Sequence, residues 1–273
     1  MAVPHQDFDS LYLSVVIPAY NEAGRILPYL REVTGFLTGR GRPYEVLVVD
    51  DGSTDATAAT VEAFSEQVPE VELLRLPIRR GKGAAVRRGM QAAVGEFQLF
   101  TDADGATPIS ELTRLETAIA AGAHVAIGSR ALASQLPDFA VQARLYRTVL
   151  GGMFNAAVRQ SGIRGISDTQ CGFKLFRRAV AEDLFGVSTI DGYGFDLEVL
   201  YVAQRRGYRI AEIPINWSDQ PGSKVRVLRD GLAMLRELAA IRRNDHDGLY
   251  QAPSFPHRFS PSHAPGFDLP LEH

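Results

Sequence analysis

Short apolar runs alternating with helical patterns constrain this chain more than any other feature it has. "LSVVIP" (13–18), "YEVLVVD" (44–50), "VELLRL" (71–76), "FQLFTD" (97–102) and "HVAIGS" (124–129) read as strands. Their near-continuous leucine and β-branched content suits strands covered on both faces. Between them, helical spacing predicts helices near 23–38, 55–67, 82–94 and 108–121. Thr107 and Pro108 read as the entry to the last of these, an N-cap oxygen followed by a first-turn proline. Strand–helix alternation of this kind gives an α/β fold, a mainly parallel sheet flanked by helices. Such sheets bind ligands beyond the carboxyl ends of their strands, so the loops after these runs are where a site is expected.

Those loops are acidic and rich in glycine. In "GEFQLFTDADGATP" (95–108) a core strand ends in Asp102 and Asp104. Side chains at i and i+2 of an extended segment share a side, so the two carboxylates are expected to converge just beyond the sheet. A divalent cation would neutralise them, and oxygen ligands suit Mg²⁺ or Mn²⁺. The plain alternative is a solvated acidic turn at Asp104-Gly105. "VVDDGSTD" sets Asp50 and Asp51 at the second strand end, before Gly52 and a helix with Ser53 or Thr54 as its cap. "PAYNEA" (18–23) sets Glu22 at the first. Carboxylates there can accept hydrogen bonds from a base or a ribose; the structural alternative is turn and cap chemistry.

"RRGKGAAVRRGM" (79–90) is neither a P-loop nor a dinucleotide fingerprint. Lys82 is followed by Gly83 and not by Ser or Thr, and Val86 stands where a third small residue is needed. It remains a basic loop at a helix start, suited to an anion or simply solvated.

After residue 129 the pattern weakens. A long helix is expected over 139–160, a helix over 196–206, a strand over 208–217 and a final helix over 224–243. The stretch 244–273, rich in Pro, His, Ser and Phe, reads as a disordered tail behind a single domain spanning 1–243, and its closing "LEH" as a vector scar. "SDTQCGFKLF" (167–176) and "DGYGFDLEVL" (191–200) bring Asp168 and Asp196; the latter also gains from the dipole of the helix it opens. Cys171 reads as a packed thiol.

Composition removes several chemistries. Of six histidines, only His124 falls within the expected core, which excludes a Ser-His-Asp triad, a Cys-His pair and a typical zinc site. A net charge of -3 gives no reason to expect nucleic-acid binding. One cysteine in 273 residues allows no internal disulfide and fits a reducing compartment. With no run of membrane-spanning length and no signal-peptide pattern, a cytoplasmic protein is expected. The segment 223–243 carries six basic residues against two acidic ones, with Leu228, Leu232, Leu235 and Leu238 near helical spacing. It predicts an amphipathic helix, either lying on an anionic membrane or docked with a solvated basic face.

In their order, "VVIPAYNEA", "VVDDGSTD", "RGKGAAVRRGM", "TDADGATP", "GSR", "DTQCGFKLF" and "GSKVRVLRDGLAMLREL" resemble the inverting family 2 glycosyltransferases of the GT-A, Rossmann-like fold. The likeness runs from about 13 to 243. The last two segments look most like the dolichyl-phosphate β-glucosyltransferase branch, although its usual membrane-spanning helix has no counterpart here. The resemblance implies a nucleotide-diphosphate-sugar donor, UDP-glucose in that branch, and a metal-dependent transfer to a polyprenyl phosphate. By position it assigns Pro18, Tyr20, Glu22, Asp51, Gly81, Lys82, Asp102, Ala103 and Asp104 to the donor. Asp102 and Asp104 would hold Mg²⁺ or Mn²⁺, with Asp104 the more direct ligand. Arg130, Arg144, Arg147, Lys174, Lys224 and Arg226 are expected on the acceptor side, and Asp168 or Asp196 as a base where one is needed. A saccharide or small-molecule hydroxyl acceptor, and a nucleotide-binding protein without turnover, are the alternative functions.

Overall fold

The structure, a computed structural model, describes residues 11–142, 163–220 and 227–251. Seven strands form one mixed sheet in the order β3-β2-β1-β4-β7-β5-β8. They are β1 (Leu13–Ala19), β2 (Tyr44–Asp50), β3 (Val71–Arg75), β4 (Phe97–Thr101), β5 (Val125–Ser129), β7 (Phe173–Arg177) and β8 (Ile210–Pro214). β1, β2, β3 and β4 are mutually parallel, as the alternating pattern predicts. A short parallel pair, β6 (Val141–Gln142) with β9 (Trp217–Ser218), lies apart from the main sheet. β6 stands where the start of the 139–160 helix was expected; the rest of that segment lies outside the described residues.

Alternate strand residues feed two cores. Val15, Ile17, Val46, Val48 and Leu99 face helices α1 (Ile26–Gly39), α2 (Thr57–Ser65) and α4 (Leu112–Ala120). Val16, Leu47, Val49 and Phe100 face α3 (Lys82–Ala92), α6 (Arg178–Val187), α7 (Phe195–Arg205) and α8 (Val227–His246). A four-residue helix, α5 (Arg130–Ala133), follows β5. The entry to α4 departs from expectation. A 3-10 turn over Ile109–Glu111 precedes it, its cap makes no side-chain bond, and the Ile109 amide is met instead by Glu32 at 3.2 Å. Likewise Asp55, and neither Ser53 nor Thr54, meets the first amide of α2, at Thr57, 2.9 Å away.

β7 is the main surprise. It is short and carries a lysine at its second position, so no apolar run announces it, yet it lies antiparallel between β4 and β5 inside the sheet. Lys174 and Phe176 then face α7 while Phe173 and Leu175 face the other core.

At the C-terminus, Met234, Leu238 and Ile241 are buried, so α8 docks on the domain; Leu235 is exposed, and the side chains of Leu228 and Leu232 lie outside the described ones. The folded chain extends past the boundary expected at 243. α8 runs to His246, and Tyr250 is fully buried with its hydroxyl donating to Glu198 at 2.6 Å. Residues 252–273 lie outside the described ones. No helix among the described residues is long and apolar enough to cross a membrane.

Candidate active site

Because β2, β1 and β4 are adjacent and parallel, their carboxyl ends open on one edge. The loops after β1 and β2 are laced together by Asn21, whose φ of 54° lies in the left-handed region that Asn tolerates. Its Oδ1 accepts from the Thr54 and Asp55 amides at 2.8 and 3.3 Å, and its own amide donates to Ser53 Oγ at 2.9 Å. Glu22 is held by Arg25 through two hydrogen bonds of 2.7 Å. Neither Asn21 nor Arg25 was singled out in the sequence; the Glu–Arg spacing of three was the available signal for the second.

Asp51 is buried and accepts from the Arg80 and Gly81 amides at 2.7 and 2.9 Å. Burial raises its carboxyl pKa, against the pull of those amides and of Arg79. In this arrangement Asp51 anchors the basic loop. Gly81, at φ 125°, turns that loop into α3. Arg79 stacks on the Tyr20 ring, 4.0 Å from its centroid. Lys82, the first residue of α3, reaches Asp102 Oδ1 at 2.6 Å and lies near the rings of Phe100 and Phe195. Burial alone would lower its pKa, but the charges of Asp102 and Asp196 outweigh this and hold the ammonium firmly protonated.

Asp102 and Asp104 come together through a turn, not through strand alternation. β4 stops at Thr101, and Gly105 takes a φ of 67°. The Asp102 carboxylate lies directly over Gly172, where any Cβ would collide with it. Asp104 Oδ1 accepts from the Ala106 amide at 3.0 Å, while Oδ2 stands 3.9 Å from Arg25. Burial, and after it the neighbouring Asp102 charge, raise the Asp104 pKa against the pull of Arg25 and Lys82. The two side chains remain partly open, at 36% and 26%. Among the described residues no group of three or more His, Cys, Asp or Glu could enclose a metal. Two carboxylates alone would hold a divalent cation only with ligand oxygens completing its shell.

The two expected bases are both committed to cations. Asp168 accepts three bonds from Arg130, one from its amide at 3.0 Å and two from its guanidinium at 2.7 Å. Burial would raise its pKa, but Arg130 overcomes this and lowers it. The same guanidinium lies 5.3 Å from the Trp217 ring. Asp196, in the first turn of α7, is bound by Lys174 Nζ at 2.5 Å; burial raises its pKa against Lys174 and Lys82. Lys174, expected on the acceptor side, is 1% exposed and donates also to the Cys171 carbonyl at 2.6 Å, beside its pairing with Asp196. Arg144, Arg147, Lys224 and Arg226 lie outside the described residues. Cys171 is buried, as expected, which pushes its thiol up to about 12. His124 packs at a strand start and accepts from the Arg209 amide at 2.8 Å.

The lowered pKa of Asp168 has a pH signature. A carboxylate whose folded pKa lies below its unfolded value stabilises the fold above that unfolded value, near about 4. The stabilisation is lost as pH falls through the folded pKa. Asp168→Asn should thus be less stable than wild type at pH 7 and lose less on going to pH 3. Parallel stability–pH curves from urea denaturation would refute this.

The chain matches the sequence profile of Glycosyl transferase family 2 over residues 14–185. It is 38% identical over 264 residues to a dolichyl-phosphate beta-glucosyltransferase of Saccharomyces cerevisiae, covering 90% of this chain and 79% of the relative. To the protein of that name from Drosophila melanogaster it is 40% identical over 250 residues, covering 86% and 76%. Among solved structures it superposes on glucosyl-3-phosphoglycerate synthase of Mycobacterium tuberculosis, crystallised with Mn²⁺, UDP-glucose and glycerol 3-phosphate, with a TM-score of 0.60. That match covers 87% of this chain and 80% of the other at 21% identity, and it establishes a GT-A-like fold alone.

Proposed function

The chain belongs to glycosyl transferase family 2, and from that premise we propose that it transfers a hexose, glucose by its relatives' names, from a UDP-sugar to a polyprenyl phosphate with inversion. The observation that carries the acceptor class is the pairing of both candidate bases, Asp168 with Arg130 and Asp196 with Lys174. A hydroxyl acceptor must lose a proton as it attacks, and a positioned base is worth roughly 10²–10⁴-fold. A phosphate monoester has a second pKa near about 6 and is already mostly dianionic at neutral pH. Such an acceptor needs a cation to place it, and Arg130, 31% exposed at its side chain, is a suitable one.

The chemistry follows from where charge moves. The acceptor oxygen forms a bond to the anomeric carbon as the bond from that carbon to the diphosphate oxygen breaks, and the electron pair leaves with the diphosphate. Lys82, kept protonated by its two carboxylate neighbours, would offset that growing charge. Mg²⁺ or Mn²⁺ on Asp102 and Asp104 would supply further positive charge at the same place. Glu22 and Asp51, at the carboxyl ends of β1 and β2, would meet the nucleoside.

The test is transfer from UDP-glucose to polyprenyl phosphate with Mg²⁺ or Mn²⁺, followed as kcat against pH. Activity should level off above the acceptor's own pKa, and Asp168→Asn and Asp196→Asn should keep that profile. Turnover on a sugar hydroxyl with none on any lipid phosphate would overturn the reading.

A peripheral membrane contact is part of the same proposal. Leu235, Arg236, Arg242 and Arg243 are exposed on α8, and an exposed basic face attracts anionic lipid in a salt-dependent way. Flotation should recover the protein with anionic vesicles at low salt and release it at high salt. Equal recovery with neutral vesicles would argue for a merely solvated face.

A further inference from the structure

Behind Lys82 lies an arrangement that the donor chemistry does not use. The loop 190–194 is pressed against the start of α3 with no room between them. A Cβ at Gly81 would collide with the Asp191 carbonyl, and one at Gly83 with the Ile190 carbonyl and with Phe195. The Asp191 carbonyl accepts from the Ala84 amide at 3.2 Å, and its carboxylate is bound by Arg80, at 3.0 Å, and by Arg87. The loop leads directly into Phe195, near Lys82, and Asp196, whose charge Lys82 feels. Whatever fixes this loop therefore fixes Lys82.

Two carboxylates do so from different elements. Glu198, fully buried, accepts from the amides of Thr189 and Ile190 at 2.9 Å. Glu237 arrives from α8. Its Oε2 accepts from the Gly194 amide at 2.7 Å, and its carboxylate fills the space over Gly192 and Gly194, where a Cβ on either glycine would strike it. Gly194 is the N-cap of α7, so its amide is near the positive end of that helix, where a carboxylate is favoured.

We propose that Glu237 is a positioning residue for donor binding: through Gly194 and the 190–194 loop, the C-terminal helix sets the placement of Lys82 at the nucleotide-sugar site. The proposal rests on the donor reading of Lys82 given above. It makes α8 part of the transferase machinery and not only a covering helix.

The experiment uses the full chain, with UDP affinity measured by calorimetry in Mn²⁺ and backbone hydrogen exchange followed at 81–84 and 190–194. Glu237→Ala should bind UDP about tenfold more weakly, the scale of one hydrogen bond to a charged group. It should raise the donor KM more than it lowers kcat, and speed exchange in both segments. Glu237→Gln, which keeps an acceptor oxygen for Gly194, should recover most of the affinity. Gly192→Ala displaces the same carboxylate and should reproduce the loss, and the double variant should be no worse than either single change. Unchanged UDP affinity and unchanged exchange in Glu237→Ala would overturn the proposal, as would additive losses in the double variant. If the wild-type protein bound no UDP, the donor reading itself would fall. Exchange at 81–84 in Glu237→Ala would then still decide the clamp, faster exchange upholding it and unaltered exchange removing it.

Discussion

Asp104→Ala is expected to abolish metal-dependent donor binding and to cut transfer on the order of 10²-fold or more, the scale of losing one electrostatic contact to a developing charge. The fold should survive. Asp104 lies in a turn beyond β4, one-quarter exposed at its side chain, and among the described residues it accepts from the Ala106 amide and stands 3.9 Å from Arg25. Its raised pKa gives the sign. A group that binds its proton more tightly in the folded state disfavours folding once deprotonated, so at neutral pH removal of its charge relieves repulsion with Asp102. Melting temperature should therefore stay close to wild type while activity collapses. The decisive comparison is UDP titration with and without Mn²⁺. A variant whose affinity still rises with metal would show that Asp104 is not a ligand.

Lys174→Met should produce the largest loss of stability of any change at the site, about 3–5 kcal/mol, because it strands Asp196 as a buried charge without its partner. Methionine fills much of the lysine stem's volume, so the cost is electrostatic more than steric. Adding Asp196→Asn should return part of it, since the stranded charge is then gone. Urea denaturation of wild type, the single variants and the double variant measures this coupling. A loss below about 1 kcal/mol for Lys174→Met, with no recovery in the double, would mean that water or another group already serves Asp196.

These two residues also divide what local sequence conveys from what it does not. Asp104 could be found because it follows an apolar run and precedes a turn. Asp51, Glu22 and Lys82 were legible for the same reason, each being a polar residue placed where a strand stops or a helix starts. Even there the mechanism differed in detail: Asp102 and Asp104 meet through a turn with Gly105 at positive φ, not through alternation along a strand. Lys174 shows the opposite case. As a charged residue within "FKLFR" it interrupts the apolar run and conceals both the strand and its place between β4 and β5. Its pairing with Asp196 on α7, together with its bond to the Cys171 carbonyl, makes that burial tolerable.

By itself, the sequence determined the α/β order of β1 to β5 with their helices, the edge where a site is expected, and the acidic, glycine-rich loops that line it. These features follow from periodicity and turn chemistry within a few residues of one another. The tertiary structure decided which group each charge meets: Arg130 with Asp168 across 38 positions, Lys174 with Asp196 across 22, and Glu237 with the Gly194 amide across 43. A charge's sign and place in the chain do not name its partner. That is chosen by which elements pack together, and burial then makes the choice binding, since an unpaired charge away from water is too costly to keep.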